Sequence, residues 1–230
     1  TWDCVYVGSY PQSEITSKDG SIYNALKNAT GWDENNDITI GRTKYRRLKG
    51  EDATYYSSNE GGQYNWNGSY KTYHYFKYES IKWRVLNRNG NDALLLADVA
   101  LDSQKYNTNY EDVTWETSSM RSWLNGYEAS VNQPKTDYSR KNFINSAFTS
   151  TQRSAIKTTN VVNSNNINCG ATGGNNTSDK VFLLSESEVY NTDMAVGYGF
   201  VKKYNTNDEA RRSRCSTYAY AMGLPRYYDC

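Results

Sequence analysis

The middle of the chain carries the run Trp115-Glu116-Thr117-Ser118-Ser119-Met120-Arg121-Ser122-Trp123-Leu124-Asn125. It predicts a helix that Thr117 or Ser118 caps at its start and that Gly126 ends. Trp115 precedes the cap and can pack against the first turn. An apolar stripe recurs at helical spacing over Met120, Trp123 and Leu124. The run therefore indicates a scaffold element, and it identifies an architecture better than a reaction.

Two charged residues inside this run, Glu116 and Arg121, invite a catalytic interpretation that the helix explains more simply. Glu116 lies near the helix N-terminus, where the macrodipole favours a negative charge. Arg121 lies off the apolar stripe, so we expect it to form a structural ion pair or to bind backbone carbonyl groups. Function is therefore expected elsewhere in the chain.

A β-hairpin is predicted upstream of the helix. Residues 81–87 alternate apolar and charged side chains, which is typical of a half-buried strand. Asn89-Gly90 follows and supplies the positive-φ positions of a tight turn. Residues 93–97 are apolar on both faces, so this second strand is expected inside the sheet.

Short elements of both kinds flank the hairpin. A first strand over 5–7 is expected to end at Gly8 and at a turn around Pro11. Another strand is expected over 43–48, and a buried strand over 180–185. Short helices are predicted over 21–29, 140–148, 150–156, 186–190, 208–214 and 216–222. Together these elements predict an α+β fold with short helices around a mixed or antiparallel sheet.

Composition limits the classes of function. The chain has 230 residues, of which 37% are hydrophobic, and it contains 22 Tyr and 6 Trp. We expect a single domain over 1–230, because no linker or repeat interrupts the chain. The 26 basic and 25 acidic residues nearly cancel, which argues against nucleic acid or an acidic membrane surface as the partner. No apolar run is long enough to insert into a membrane.

An aromatic-rich loop region is predicted around residues 30–78, as an insertion into the domain. Long loops with this many rings are usually functional, and Tyr and Trp among Gly and Asn are typical of adaptable recognition surfaces. The alternative is that the rings pack the loop onto the sheet. The candidate ligand-binding residues are Tyr55, Tyr56, Tyr64, Trp66, Tyr70 and Tyr73.

The sequence contains little that indicates catalysis. His74 is the only histidine and lies between Tyr73 and Tyr75, so packing among rings explains it better than a catalytic role. Paired carboxylates for glycoside hydrolysis can be drawn from any of the 25 acidic residues and are therefore uninformative. We predict no catalytic residues, and the chain is more readily interpreted as a binding protein than as an enzyme.

One acidic segment offers a metal site. Asp33, Asn35 and Asp37 supply oxygen ligands at alternating positions, as calcium prefers. The pattern departs from an EF-hand because Ile38 occupies the glycine position and Lys44 the glutamate position. A solvated acidic loop is the alternative, and no other cofactor is implied.

Cys4, Cys169, Cys215 and Cys230 form an even set without the spacing of a zinc site. Two disulfide bonds or four thiols are both compatible with it. Three pairings are possible, and a bond between Cys215 and Cys230 would close a short loop.

Several segments, taken in order, resemble a bacterial family classed as a domain of unknown function. They are residues 6–13, Ile81-Lys82-Trp83-Arg84-Val85-Leu86, Ala93-Leu94-Leu95-Leu96, Leu101-Asp102, residues 114–125, Ala147-Phe148-Thr149 and residues 179–185. The match covers nearly the whole chain, with residues 16–78 as an insertion relative to shorter members. The family is frequent in secreted and surface proteins of anaerobic gut and oral bacteria, and it is similar to C-type-lectin-like and formylglycine-generating-enzyme-like folds.

The resemblance implies a C-type-lectin-like domain that is secreted or displayed on the cell surface. Members usually continue beyond a segment like residues 216–223 into a Trp-Trp-x-Arg-Ser-Pro-Gly stretch, which this sequence does not contain before Cys230. Because terminal strands pair in lectin-like folds, the strand over 5–7 is expected to lack its usual partner. The chain is then truncated, closes its sheet differently, or is completed by a partner segment.

The predicted function is a non-catalytic extracellular recognition module whose aromatic-rich loop binds a glycan or a cell-surface protein. A glycan-active enzyme and a structural spacer within a larger surface protein are the alternatives. Two carboxylates facing each other across a cleft would favour the enzyme. A surface without an aromatic cluster would favour the spacer.

Overall fold

A computed structural model describes residues 2–55, 64–67, 69–166, 169–189, 198–200 and 211–223. Over these residues the chain is α+β, with short helices and predominantly antiparallel strands, as predicted. The chain folds into two compact units, each built from several segments. The first unit spans Thr1–Asp3, Val85–Leu95 and Lys105–Arg212, and the second spans Cys4–Arg84, Leu96–Gln104 and Ser213–Cys230.

The second unit contains most of an antiparallel sheet. Its strands are β1 (Cys4–Ile15), β2 (Asp37–Ile40), β3 (Thr43–Leu48) and β4 (His74–Asn89), in the spatial order β1-β4-β3-β2. Helix α1 (Ser21–Asn28) follows β1. Strand β5 (Asp92–Ala97) pairs with β4, and both of these strands contribute residues to each unit.

Strand β1 is longer than predicted and it has a partner. It continues through Gly8 and Pro11, where bulges interrupt its pairing with β4, and Gly8 adopts a φ of 73°. A bulge absorbs an extra residue, and an edge strand tolerates a proline that cannot donate a hydrogen bond. Val5 lies opposite Trp83 of β4, and among the described strands β1 pairs on that side alone. The expectation that residues 5–7 lack their usual partner therefore stays a prediction.

The region around 30–78 contains a β-hairpin that the sequence only partly indicated. Strand β3 has the predicted bounds, but β2 was missed, and β4 already begins at His74. The missed strand is fixed by a contact across the hairpin, because Asp37 lies opposite Arg46 and forms an ion pair with it. Ile38 and Ile40 pack against a core formed by Ile15, Leu26, Tyr45 and Tyr75.

The hairpin of β4 and β5 confirms the prediction over 81–97, with one correction. The turn lies at Gly90-Asn91, and Gly90 supplies its positive φ of 59°. Glycine at the first of two turn positions is typical of a type II′ turn, which suits the twist of the strands. Strand β5 is partly exposed and, among the described strands, pairs only with β4. It therefore lies at an edge, whereas the sequence predicted an interior strand.

In the first unit, α2 (Ser119–Asn125) confirms the predicted helix. The hydroxyl of Ser118 accepts a hydrogen bond from the backbone N–H of Arg121, and Gly126 ends the helix in the left-handed conformation. The most buried positions are Ser118, Ser119, Ser122 and Leu124, so small side chains line much of the inner face. Helices α3 (Phe143–Ala147) and α4 (Ser150–Ala155) follow close to the predicted positions, capped by Asn142 and Thr149.

The strand predicted over 180–185 is not formed. Instead β7 (Thr159–Val161) pairs with β8 (Thr177–Asp179), and the chain beyond β8 is irregular. The side chain of Asn125 explains this, because its Oδ1 accepts hydrogen bonds from the N–H groups of Lys180 and Val181 and its Nδ2 donates to the Val181 carbonyl. The amide of Asn125 thus makes the hydrogen bonds that a neighbouring strand would otherwise make with Lys180 and Val181. Farther along the same segment, Leu183 is 49% exposed.

The remaining elements are short. Helix α5 (Glu186–Val189) agrees with the prediction over 186–190. Strand β6 (Val99–Ala100) pairs in parallel with β9 (Arg214–Cys215). Residues 211–214 of the predicted helix over 208–214 form a turn, an irregular stretch and the start of β9 rather than a helix, and residues 208–210 lie outside the described ranges. Helix α6 (Thr217–Ala221), capped by Ser216, confirms the last prediction and packs on β1.

Candidate ligand-binding site

The six candidate rings divide into buried and exposed groups. Tyr64 and Trp66 are each only 8% exposed, so they pack the interior. Tyr55 and Tyr70 are 57% and 43% exposed. Tyr73 is half-buried, and Tyr56 lies outside the described residues. We call the accessible rings, Tyr55, Tyr70 and Tyr73, the tyrosine surface.

The turn at residues 50–52 contacts Tyr70 of the tyrosine surface. The backbone N–H of Glu51 donates to the Tyr70 carbonyl at 3.1 Å. A Cβ atom at Gly50 would lie 2.8 Å from the Cβ of Tyr70 and 3.2 Å from a Trp66 ring carbon, so only glycine fits between them. Tyr55 follows four residues after Glu51, so its backbone lies within about 14 Å of this turn. Tyr70 is thus attached to a buried aromatic base.

That base contains the single histidine. The His74 ring packs edge-to-face against Tyr64 and Trp66, at centroid distances of 5.3 and 5.1 Å, which confirms the prediction of a histidine packed among rings. Its Nδ1 lies 2.7 Å from Oε1 of Glu14 and 2.6 Å from the Tyr64 hydroxyl. Burial and then the adjacent Glu14 raise the pKa of Tyr64 well above its usual range. Glu14 lies sixty residues away in sequence, so no local pattern indicated it.

A carboxylate that orients an imidazole is also a feature of catalytic bases. Because a carboxylate can only accept, the geometry indicates that His74 carries a proton on Nδ1, which leaves Nε2 as the second ring nitrogen. That Nε2 atom is buried and has no hydrogen-bond partner among the described residues. It is therefore poorly placed to act on a substrate that arrives from solvent.

Adjacent arginines on β3 point to opposite faces of the sheet, as alternation along a strand requires. Arg46 is buried, and its Nε and Nη2 donate to the two carboxylate oxygens of Asp37 at 2.7 and 2.9 Å. Tyr78 also donates to Asp37, at 2.8 Å. The guanidinium carbon lies within 6 Å of three ring centroids, those of Tyr10, Tyr78 and Tyr218. This network is satisfied internally, so it stabilises the fold.

Arg47 lies between two rings on the other face. Its guanidinium carbon is 4.3 Å from the centroid of Tyr73 and 4.8 Å from that of Trp32. Its Nε donates to Oδ1 of Asn36 at 3.0 Å, which fixes the plane of the group. Tyr75 also stacks on the Trp32 ring, at a centroid distance of 5.9 Å. Arg47 thus joins the tyrosine surface to the core.

The predicted calcium ligands serve mainly as protein contacts. Oδ1 of Asp33 accepts from the backbone N–H groups of Asn35 and Asp37, both at 2.8 Å, which closes the turn before β2. The Asp37 carboxylate is paired with Arg46 and, at 2.9 Å, with Lys44. Within the described ranges no three His, Cys, Asp or Glu side chains come together to hold a metal ion. Calcium binding at this loop stays a prediction.

Asp179 is the centre of a hydrogen-bond network in the first unit. Its buried carboxylate accepts hydrogen bonds from Trp115 Nε1, Arg121 Nε, the Tyr127 hydroxyl and the Thr177 hydroxyl, at 2.7–3.1 Å. Burial and then Asp179 raise the pKa of Tyr127 to about 12. Arg121 also donates to the Glu116 carbonyl at 2.9 Å. Both structural roles predicted for Arg121 are confirmed.

The cysteines give no support to a disulfide framework. Cys4, Cys169 and Cys215 form no disulfide bond with one another. Cys230, the fourth candidate for a disulfide bond, lies outside the described residues.

Comparison with known proteins identifies the family but not an activity. In the part of the chain that the structure describes, no helix is both long and apolar enough to span a membrane. No curated protein and no solved structure matches the chain. Residues 90–228 match the family described as Domain of unknown function (DUF6273), a segment that includes α2, Asp179 and α6. The match spans more than half of the sequence, and the chain therefore belongs to this family.

Proposed function

We propose that this protein is a non-catalytic recognition module that binds a glycan through the tyrosine surface. The observation that carries the proposal is the contrast within one aromatic segment. Tyr64 and Trp66 are buried, whereas Tyr70, which accepts a hydrogen bond from the turn at Glu51, is 43% exposed and Tyr55 is 57% exposed. Rings that are held rigidly lose little entropy on binding, and clustered exposed rings usually mark an interaction site.

Chemistry favours a sugar ligand over a flat apolar one. The faces of tyrosine rings accept the C–H faces of sugars, and the phenol groups can exchange hydrogen bonds with hydroxyls. Carboxylates and ammonium groups flank the rings, since Glu51, Asp52 and Lys49 all lie on the adjoining turn and Lys71 lies near the Tyr70 ring. Such a mixed polar rim is typical of a recognition site.

We further propose that recognition takes place outside the cell, on a domain with a C-type-lectin-like arrangement. The resemblance described above is the support for this part. A cell-surface protein as ligand would use the same rings, because exposed tyrosines are frequent anchors in protein interfaces as well.

A glycan-array measurement with matched variants tests the proposal. Tyr70→Ala is expected to weaken binding of any glycan hit at least about fivefold, or about 1 kcal/mol, since an exposed ring of the tyrosine surface is lost. Tyr110→Ala is the control, because Tyr110 is fully exposed and belongs to the other unit. The proposal fails if no glycan binds above background at high protein concentration, or if both variants weaken binding equally.

A further inference from the structure

The two arginines of β3 differ in the groups that accept their hydrogen bonds. Arg46 is paired with the carboxylate of Asp37 through two hydrogen bonds. Arg47 uses its Nε toward the neutral amide of Asn36. None of the carboxylates in the described part of the chain forms an ion pair with Arg47. Several other basic side chains of the second unit do have such pairs, namely Lys44, Arg46, Lys49, Lys82 and Arg84.

The orientation of Arg47 is nevertheless fixed. Tyr73 and Trp32 lie against its guanidinium group, at 4.3 and 4.8 Å, and Asn36 holds Nε. The backbone N–H of Arg47 also donates to the Asn36 carbonyl at 2.9 Å. A guanidinium held in this way keeps its two terminal nitrogens as a preformed fork, which matches the two oxygens of a carboxylate.

We propose that Arg47 is the anchor for the carboxylate of an acidic sugar, with the tyrosine surface contacting the sugar ring. The inference rests on the proposed glycan-binding function and names its ligand class. The two terminal nitrogens of Arg47 donate to the carboxylate, while the ring of Tyr73, which already contacts Arg47, adjoins the bound sugar. Because the plane of the fork is set before binding, little side-chain entropy is lost.

The surrounding charges favour recognition of one carboxylate at a time over recognition of a densely charged polymer. Lys49 lies near the same ring, 5.7 Å from the Tyr73 centroid, and it is paired with Glu51. Asp52 lies 3.9 Å from the same ammonium group. The chain as a whole carries a net charge of only +1. A nucleic acid or a sulfated polymer would need a broad basic surface, which these neighbours do not provide.

The test uses tetragalacturonate and its methyl ester, which share a sugar backbone and differ in the carboxylate. Isothermal titration should show that the ester binds at least about tenfold more weakly than the acid. Arg47→Gln should weaken binding of the acid by a similar factor. Arg42→Gln is the matched control, since it removes the same charge from the exposed β2–β3 turn, and it should change affinity by less than about twofold.

Arg47→Lys separates geometry from charge. It keeps the charge but loses the planar fork, so we expect an affinity between that of Arg47→Gln and that of the original chain. Thermal unfolding of each variant checks that the fold is retained. If Arg47→Gln does not fold, Arg47→Lys and the acid-to-ester ratio decide the matter.

Several outcomes would overturn the inference. These are no binding of tetragalacturonate, equal binding of acid and ester, or equal losses in Arg47→Gln and Arg42→Gln. A polyglutamate peptide that binds as tightly as tetragalacturonate, and that loses affinity in Arg47→Gln, would show that the ligand is an acidic peptide. If a neutral glycan binds and only Tyr70→Ala weakens it, the proposed function stands without the acidic-sugar inference.

Discussion

At the scale of single residues, the neighbours of each arginine decide whether it stabilises the fold or remains available to bind a ligand. Arg46 and Arg47 are adjacent and chemically identical, yet strand alternation places the first among Tyr10, Tyr78 and Tyr218 and the second between Tyr73 and Trp32. Asp37 neutralises the first, and an amide holds the second. The same residue type is thus structural at one position and a candidate receptor at the next.

Two carboxylates of the second unit are expected to make opposite contributions to stability as pH changes. Burial raises the pKa of Asp102, although the Tyr10 hydroxyl donates to it at 2.5 Å. Its stabilising contribution is therefore complete below the ordinary pKa and is lost as pH rises through the raised value. Burial also acts to raise the pKa of Asp37, but the hydrogen bonds and charges of Arg46 and Lys44 together outweigh it and the pKa is lowered. That contribution is present above the ordinary pKa and is lost as pH falls.

Urea unfolding between about pH 3 and about pH 7 measures this difference. The free energy of unfolding by which the original chain exceeds Asp102→Asn should fall as pH rises. The corresponding difference for Asp37→Asn should grow over the same range. Slopes of the same sign for the two variants would contradict the assignment.

Asp179 should be among the most sensitive positions in the first unit. Asp179→Ala leaves donors of Trp115, Arg121, Tyr127 and Thr177 without their shared acceptor. Removing one partner of a buried ion pair costs about 3–5 kcal/mol, which urea unfolding can measure.

Asp92→Ala provides the control in the same unit. Asp92 pairs with Lys157, but both side chains are at least half exposed, so solvent screens their attraction. A loss of stability in Asp179→Ala no larger than that in Asp92→Ala would show that the carboxylate is not a structural centre.

The helices and strands follow the local sequence pattern where nearby residues provide the hydrogen bonds of the backbone. They depart from it where a distant side chain provides those hydrogen bonds instead. Helix α2 begins and ends where the sequence predicts, because a serine cap and a left-handed glycine are local devices. The apolar residues 180–185 predicted a strand but form none, because the side chain of Asn125 takes the hydrogen bonds that a neighbouring strand would otherwise provide. Strand β2 formed without a strong pattern because its partner, β3, supplies Arg46.

The end of α2 should depend strongly on glycine. Gly126 has a φ of 74°, and a Cβ atom there would lie 2.9 Å from Nδ2 of Asn142, the residue that caps α3. Gly126→Ala should therefore lose about 1–2 kcal/mol of stability from the left-handed conformation, and a further amount from displacing Asn142. Gly170→Ala should lose only the conformational part, since its φ of 70° is close to that of Gly126 and nothing lies within 4 Å.

Urea unfolding of both glycine variants isolates the contact with Asn142. The loss of stability in Gly126→Ala should exceed that in Gly170→Ala. Equal losses would mean that the contact between the end of α2 and the cap of α3 contributes nothing.

Across the whole molecule, the chain forms two compact units and is assigned to a family by residues 90–228. Both units are built from segments that are distant in sequence, since the second unit takes in residues from Cys4 to Arg84 and again from Ser213 onward. The candidate binding residues lie within Cys4–Arg84, outside the matched family segment. The scaffold and the proposed recognition surface therefore belong to different parts of the sequence.

Local sequence pattern was sufficient for the α+β class, the capped helix α2, the hairpin of β4 and β5 and the structural role of Arg121. These features follow from side-chain periodicity, turn glycines and caps, all of which act over a few residues. The tertiary structure was needed to show which rings are buried, that Glu14 orients His74, and that Arg47 lies between Trp32 and Tyr73. Such contacts join residues separated by 10 to 60 positions, and the burial of each ring depends on what the rest of the fold brings alongside it.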